Sequence, residues 1–292
     1  MIKKEETSKL LRDLVKIQSP YFQEHQVMAY AMEWMSRQGL SPRLHTYADD
    51  KVTGFHGENV WLELDGAGDG PVICLNGHLD TVQVCNGWSR PTTGAVEGDR
   101  LYGVGALDMK SGCAALMVAL AHFRKEHPVF RGKIKASFVS VEEGPFGLGT
   151  NALIEDGLLD DADFCIVAEP SAGFTGKPFP TLCLGARGGY GLDVEFYGKS
   201  AHAASPELGI SAAEDMAAFV QELRHVQYVE DPHLGKGTCC VVAMHADGGA
   251  CSVPDFASVK LFWHIVVGES PETITTEIEA AIRRAGIRGR YA

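Results

Sequence analysis

One histidine and five acidic residues lie next to predicted core segments of this 292-residue chain. Three apolar segments, residues 71–76, 133–141 and 163–168, are each followed by such residues. The six residues are His78, Asp80, Asp108, Glu142, Glu143 and Glu169. If the segments are parallel strands, their carboxyl ends meet at one edge of a sheet, where ligands bind in open α/β folds. The sequence therefore predicts that an imidazole and several carboxylates converge there.

Divalent cations suit such a set of side chains. Carboxylates packed together repel one another, and some stay protonated unless a cation is bound. Histidine with carboxylates favours zinc, and also suits cobalt or manganese. One carboxylate can bridge two metal ions, as in two-metal aminopeptidases. The pattern predicts a metal-dependent hydrolase.

The adjacent pair Glu142–Glu143 fits this chemistry, because neighbouring side chains at a strand end point in different directions. One carboxylate can bind metal while the other takes a proton from water and passes it to a leaving nitrogen. Each feature alone has an ordinary interpretation. HLD (78–80) is typical of a loop, EE (142–143) of a solvated face and AEP (168–170) of a turn. Their shared position, each at the end of a βα unit, favours an active site.

Other apparent motifs fail. GVGALD (103–108) begins like a dinucleotide-binding loop, but Asp108 occupies the place of the third glycine. GKS (198–200) resembles the end of a phosphate-binding loop, but Asp193 stands where its first glycine should be. The chain contains no Gly-x-Ser-x-Gly sequence, which disfavours a serine hydrolase.

The elements that must position the six residues alternate between helix and strand. Hydrophobic periodicity predicts helices over 5–15, 23–37, 110–125 and 150–159, and strands over 59–64, 71–76, 133–141 and 163–168. This order predicts an α/β fold, a βα sheet with helices on both faces. Residues 1–180 are therefore expected to form the metal-binding catalytic domain.

The pattern changes after about residue 180. Strands are predicted over 189–197, 239–244 and 257–266, and helices over 212–224 and 273–285. This order predicts a small α+β domain over 181–292, with helices packed on a mostly antiparallel sheet. Residues 178–180 are a candidate hinge.

Composition indicates which classes of partner and which cellular compartment to expect. The net charge of −12 disfavours nucleic acid as a partner. The polar N-terminus has no apolar signal core, and no segment is long and apolar enough for a membrane span, so a cytoplasmic location is expected. The eight cysteines form no CxxC pair and are expected to be small buried thiols in a reducing compartment.

Five segments resemble a known family in order and spacing. NGHLDTV, GAVEGDRLYGVGALDMKSG, VEEGPFGLGT, AEPS and FYGKSAHAASPELGISA are similar to the zinc-dependent glutamate carboxypeptidase, acetylornithine deacetylase and succinyl-diaminopimelate desuccinylase family. The resemblance implies a phosphorylase/hydrolase-like catalytic domain and a lid or dimerisation domain. It also implies a homodimer that holds two zinc ions per subunit, with cobalt or manganese as alternatives.

The resemblance also implies residue roles. The metal ligands would be His78, Asp108, Glu143 and Glu169, with Asp108 bridging both ions. Asp80 would orient the His78 ring. Glu142 would be the general base. His202, in the GKSAH motif, would reach the partner subunit's active site and stabilise the oxyanion of the tetrahedral intermediate.

Two departures from the family pattern bear on function. Cys251, Phe262 and His264 replace an asparagine, an aspartate and an arginine that help to hold the substrate carboxylate. Relatives also return to complete the catalytic domain and supply a further histidine ligand, whereas this chain stops at Ala292. We therefore expect a fragment of a longer protein, with one ligand of the second metal missing.

The resulting hypothesis is an amidohydrolase or metallopeptidase acting on N-acyl amino acids or small peptides as a deacetylase, desuccinylase or carboxypeptidase. The aminopeptidase branch of the superfamily stays open. The alternative from a different class is a catalytically silent homologue that acts as a metal-binding or dimerising module. Neither the acyl group nor the amino acid can be identified from the sequence.

Overall fold

The chain forms two compact units, Met1–Thr181 (unit 1) and Leu182–Ala292 (unit 2). The computed structural model describes residues 4–144, 147–171, 176–178 and 180–292. The candidate hinge over 178–180 includes Phe179, which lies outside the described residues. In the part of the chain that the structure describes, no helix combines the length and apolar character needed to cross a membrane.

Unit 1 begins with two helices and five successive strands, and helices and strands then alternate up to its last strand. Its elements are α1 (Lys4–Lys16), α2 (His25–Arg37), β1 (Arg43–Asp49), β2 (Phe55–Asp65), β3 (Val72–His78), β4 (Thr93–Glu97), β5 (Arg100–Gly103), α3 (Lys110–Glu126), β6 (Lys133–Val139), α4 (Leu148–Glu155) and β7 (Phe164–Val167). The prediction missed β1 and the β4–β5 hairpin.

The main sheet of unit 1 has the strand order β1-β2-β6-β3-β7. Strand β3 runs parallel to both β6 and β7, whereas β1 and β2 pair antiparallel, so the sheet is mixed. The α/β prediction is confirmed in this mixed form. Because β6, β3 and β7 are neighbours and parallel, their carboxyl ends lie at the same edge of the sheet.

Alternating residues of β2 and β6 pack helices on both faces of this sheet. Leu62 and Phe138 join the large cluster formed with α1, α2 and α3. Trp61 and Val139 point the other way and pack with Leu153 of α4. The period of two along a strand thus separates the two helical layers.

The exposure of strand β7 contradicts two predictions, that this strand is buried and that its cysteine is a buried thiol. The segment 163–168 was expected to be a buried strand, but Phe164 is 61% exposed and Ile166 is 52% exposed. The reason is position, because β7 lies at one end of the strand order and pairs only with β3 among the described strands. The same position exposes Cys165, although its register partner Cys74 is buried.

The expectation of buried thiols is therefore only partly right. Cys74 and Cys113 are buried and Cys239 is intermediate, whereas five cysteines are exposed. The exposed ones are Cys85, Cys165, Cys183, Cys240 and Cys251. All eight are free thiols in the structure.

Unit 2 is a second, smaller α+β layer. Its elements are β8 (Gly188–Tyr197), α5 (Ala212–Glu222), β9 (Glu230–Asp231), β10 (Gly235–Lys236), β11 (Thr238–Ala246), β12 (Phe256–Ile265), α6 (Pro271–Ala285) and β13 (Arg290–Tyr291). A four-stranded sheet has the order β11-β12-β8-β13, and every pair is antiparallel. The predicted antiparallel sheet is confirmed.

Helices α5 and α6 cover one face of that sheet. The core contains Phe196, Trp263 and Phe219, with Ile274 and Ile278 of α6 packed among them. Ser270 caps α6 with a capping box, which satisfies N–H groups of the first turn that have no partner within the helix. The helix ends at Gly286, whose φ of 61° is a left-handed conformation that glycine adopts without strain.

Candidate metal centre

The six predicted residues of unit 1 lie at the ends of the elements that carry them. Strand β3 ends at His78, and Asp80 follows two residues later. Glu142 and Glu143 follow β6, Glu169 follows β7, and Asp108 precedes α3. Parallel pairing of β6, β3 and β7 brings three of these loops together, as the sequence predicted.

The ring of His78 is the centre of the cluster. Its Nε2 atom lies 3.3 Å from Asp108 Oδ1, 3.5 Å from Glu169 Oε1 and 3.7 Å from Glu142 Oε2. Its Nδ1 atom lies 3.1 Å from the backbone oxygen of Asp80 and 3.4 Å from Asp80 Oδ1. One imidazole therefore faces carboxylates on both sides.

Charge and burial act against each other at this ring. The side chain of His78 is 1% exposed, and burial alone would lower its pKa. The contacts with the carboxylates of Asp108 and Asp80 outweigh burial and raise the pKa of His78 to about 11. The same contact with His78 lowers the pKa of Asp108.

Burial raises the pKa values of the remaining carboxyl groups. Burial, together with the charge of Asp108, raises the pKa of Glu169 to about 8 and that of Glu143 to about 7. Burial also raises the pKa of Glu142. Without a cation, these groups cannot all ionise near neutral pH, because their negative charges repel in a partly dehydrated space.

The donor set fits a divalent cation. One ligand atom from each of His78, Asp108 and Glu169 lies within 4.8 Å of the other two. Among the described residues, the buried Glu169 Oε2 and Asp80 Oδ1 have no hydrogen-bond partner. An imidazole with carboxylates is a common donor set for zinc. These residues can therefore hold a metal ion.

Glu143 occupies a different place in the cluster. Its backbone N–H donates to Asp80 Oδ2 at 2.9 Å, so one carboxylate contacts both the His78 ring and this turn. Burial, with the charge of Asp108 as the next cause, raises the pKa of its carboxyl group.

Two supporting residues were missed by the sequence analysis. Lys110, which is 0% exposed, donates from Nζ to the backbone oxygens of Leu14 at 3.2 Å and Ile17 at 2.8 Å. These bonds fasten the start of α3, and so Asp108, to the end of α1. Cys113 donates from Sγ to the backbone oxygen of His78 at 3.0 Å. Both occur in an ordinary helical pattern, so the sequence carried no signal for them.

The other predicted residues belong to unit 2. The side chain of His202 is exposed, and its Nδ1 atom accepts a hydrogen bond from the N–H group of Ala204 at 3.1 Å. The backbone of His202 pairs with that of Ser252 in an isolated antiparallel β-bridge. The backbone oxygen of Cys251 accepts the N–H of Ala203 at 2.9 Å. These bonds connect the GKSAH loop to the CSVPD segment.

Phe262 and His264 lie on β12 with ring centroids 4.9 Å apart. Burial, helped by the charge of Arg187, lowers the pKa of His264. This direction disfavours the charged imidazolium that would be needed to replace the charge of an arginine in holding a substrate carboxylate.

Comparison with known proteins agrees with this geometry. Residues 74–286 match the model of peptidase family M20/M25/M40. The chain is 30% identical over 255 residues to a succinyl-diaminopimelate desuccinylase of Leptothrix cholodnii, covering 85% of this chain and 65% of that protein. It is 36% identical over 172 residues to the same enzyme of Ectopseudomonas mendocina, covering 57% of this chain and 44% of the relative. The chain thus spans less than two thirds of the length of these relatives.

Solved structures share the fold. A tripeptidase from Staphylococcus aureus superposes with a TM-score of 0.70 at 21% identity, over 100% of this chain and 75% of that one. A dinuclear metal-binding peptidase from Bacillus subtilis gives a TM-score of 0.54 at 15% identity, over 99% of this chain and 74% of that one.

Proposed function

Since this chain belongs to peptidase family M20/M25/M40, we propose that it is a metal-dependent amidohydrolase that cleaves the amide bond of N-acyl amino acids or small peptides. The observation that carries the proposal is the convergence of His78 with Asp108, Glu142 and Glu169 at the carboxyl ends of parallel strands. The substrate class follows from the relatives, which act on a succinylated amino acid or on small peptides.

In this proposal His78, Asp108, Glu143 and Glu169 would hold the divalent cations. Zinc is the preferred ion, and cobalt or manganese are alternatives. A bound cation lowers the pKa of water and polarises the scissile carbonyl group. Asp80 orients the His78 ring through its contact with Nδ1.

Glu142 is proposed as the general base. It is close to the cluster, with Oε2 3.7 Å from His78 Nε2, and burial raises its pKa toward the working range of an acid–base group. Its carboxylate takes a proton from the attacking water and then delivers that proton to the leaving nitrogen. A carboxyl group tuned in this way can serve as base and acid in one turnover.

Unit 2 is proposed as the lid and dimerisation domain of a cytoplasmic homodimer. His202 then stabilises the oxyanion of the tetrahedral intermediate in the partner subunit's site. The exposed position of its side chain leaves it accessible for that role. The lowered pKa of His264, caused by burial and the charge of Arg187, supports the view that the substrate carboxylate is held differently, or more weakly, than in relatives with an arginine.

Glu142→Gln tests the proposal. With zinc supplied, we expect the wild-type chain to hydrolyse at least one substrate in a panel of N-succinyl and N-acetyl amino acids and dipeptides. Loss of the general base should lower kcat about 100- to 10,000-fold. Zinc content, measured by elemental analysis, should stay the same. Glu155→Gln, on the exposed surface of α4, is the matched control.

Two outcomes would count against this assignment. A Glu142→Gln variant as fast as the wild type would remove Glu142 from the mechanism. A wild-type chain that binds zinc but hydrolyses nothing in the panel would favour the alternative of a catalytically silent metal-binding module.

A further inference from the structure

The turn between β6 and the glutamate pair is held by three buried side chains from three different elements. Ser140 donates its backbone N–H to Asn59 Oδ1 at 3.1 Å, and Val141 donates to Glu24 Oε1 at 3.1 Å. Glu143 donates to Asp80 Oδ2 at 2.9 Å. Asn59 lies on β2, Glu24 at the start of α2, and Asp80 after β3. The backbone that carries Glu142 and Glu143 is thus fixed from three directions.

Val141 is the unusual residue of this turn. Its φ is +54°, a left-handed conformation that is strongly disfavoured for a β-branched side chain. Such a conformation is strained and persists only where its surroundings enforce it. Phe22, at φ +71°, is the other non-glycine residue with positive φ among the described residues.

Glu24 connects these two residues. Its Oε1 atom accepts the N–H of Phe22 at 2.9 Å as well as that of Val141. Glu24 is 3% exposed, so water cannot readily replace either bond. One carboxylate oxygen therefore satisfies the backbone at both left-handed positions, which are far apart in the sequence.

The left-handed backbone at Val141 decides where the next two side chains lie. Glu142 follows it directly, and Glu142 Oε2 comes 3.7 Å from His78 Nε2. Glu143 follows in turn, with its N–H fixed on Asp80. If Val141 relaxed to an extended conformation, the chain would leave β6 in another direction and both carboxylates would move.

We propose that Glu24 is a positioning residue for hydrolysis: by accepting the N–H groups of Phe22 and Val141, it holds the turn that aims Glu142 and Glu143 into the metal centre. This inference rests on the proposed function for its kinetic consequence. Glu24 acts through the backbone, because its Oε1 atom accepts the N–H groups of Phe22 and Val141.

Unit 2 offers a matched control. Asp215 is 5% exposed and accepts two backbone N–H groups, those of Arg288 at 3.1 Å and Gly289 at 2.8 Å. It is a buried carboxylate with the same kind of bonds, located in the other unit. If Glu24 contributed only to stability, Asp215→Ala and Glu24→Ala should affect kinetics alike.

The experiment compares Glu24→Ala, Glu24→Gln and Asp215→Ala with the zinc-loaded wild type. Each protein is assayed well below its own Tm. We expect Glu24→Ala to lower kcat at least tenfold with KM changed less than twofold. Glu24→Gln should stay within threefold of wild type, because its amide oxygen can accept the same two N–H groups. Asp215→Ala should keep kcat within twofold, even where its Tm falls as far.

A second readout does not require turnover. Because Glu143 is a proposed metal ligand, Glu24→Ala should weaken zinc affinity at least tenfold in a competition assay with a chelating dye, whereas Asp215→Ala should not. This assay separates the two proposals. If the wild type hydrolyses nothing, the proposed function fails, but zinc affinity still tests the role of Glu24.

Three results would overturn the positioning role. The first is a Glu24→Ala protein with wild-type kcat and zinc affinity. The second is an equal loss in Asp215→Ala, and the third is a Glu24→Gln protein as impaired as Glu24→Ala. If Glu24→Ala does not fold, Glu24→Asp replaces it. Its shorter side chain should lose the bond to Val141, and full zinc affinity in that variant would equally refute the proposal.

Discussion

The two units differ in how many charged or titratable side chains they bury. Unit 1 buries two acids, a histidine and two lysines: Glu24, His78, Asp80, Lys110 and Lys135. Unit 2 buries one charged side chain among the described residues, Asp215. The core of unit 2 is otherwise built from packed apolar side chains such as Phe196 and Trp263. Buried charged side chains are therefore concentrated in unit 1, whereas the interior of unit 2 consists mainly of packed apolar side chains.

The difference lies in how the charges are satisfied. Asp215 accepts backbone N–H groups from Arg288 and Gly289, which fasten α5 to the segment before β13. In unit 1, three carboxylates instead face one imidazole, and the pKa of Glu169 rises to about 8 because of burial and the charge of Asp108. Local rules of stability are broken where a site needs reactive groups, and other parts of the molecule must offset the cost.

The largest expected effect tests whether packing defines unit 2. Trp263 is 1% exposed within the unit 2 core, so Trp263→Ala should destabilise that unit by about 3–5 kcal/mol. Hydrogen exchange should show lost protection in β8 and β12, while amides of β2, β3 and β6 keep theirs. Trp263→Phe is the control and should cost less. Equal loss of protection in both units would break the comparison.

Zinc binding should stabilise unit 1 and leave unit 2 unchanged. If the carboxylate cluster is a metal centre, free zinc at 100 times Kd should stabilise unit 1 by about 2.7 kcal/mol. Protection should rise in β3 and β6 and stay constant in β8 and β12. His78→Ala should abolish the gain. A zinc effect that survives this substitution, or that appears mainly in unit 2, would place the ion elsewhere.

A smaller effect concerns pH. Burial, with the charge of Asp80 as a further cause, raises the pKa of Glu24 from its ordinary value near 4.5 to about 7. The folded state therefore keeps a proton that the unfolded state releases, so this group's contribution to stability falls as pH rises from about 4.5 to 7. Glu24→Gln has no such proton. Relative to wild type, its free energy of unfolding should gain about 2 kcal/mol between pH 5 and pH 7.

Urea unfolding at the two pH values measures this difference. A constant difference between Glu24→Gln and wild type would mean that Glu24 is ionised in the folded protein throughout.

Much of the fold followed from the sequence, for a clear reason. Apolar runs such as 71–76 and 133–141 predicted strands, and helices α1, α3 and α6 began within two residues of their predicted starts. Short elements were less accessible. Strand β1 carries an exposed and intermediate burial pattern, so it has no apolar periodicity to reveal it. Strand β7 is apolar yet exposed, because its place in the sheet order is a tertiary property.

The sequence by itself determined which side chains meet at one edge of the unit 1 sheet. Each acidic motif stands immediately after an apolar strand or before a helix, so parallel pairing alone was enough to bring His78, Glu142 and Glu169 together. Only the tertiary structure decided how the turn at Val141 is held. The N–H group of Val141 donates to Glu24, and the N–H group of Glu143 donates to Asp80. Both hydrogen bonds join parts of the chain that are far apart in the sequence. No local pattern of residues encodes such bonds, because they depend on how separate elements pack.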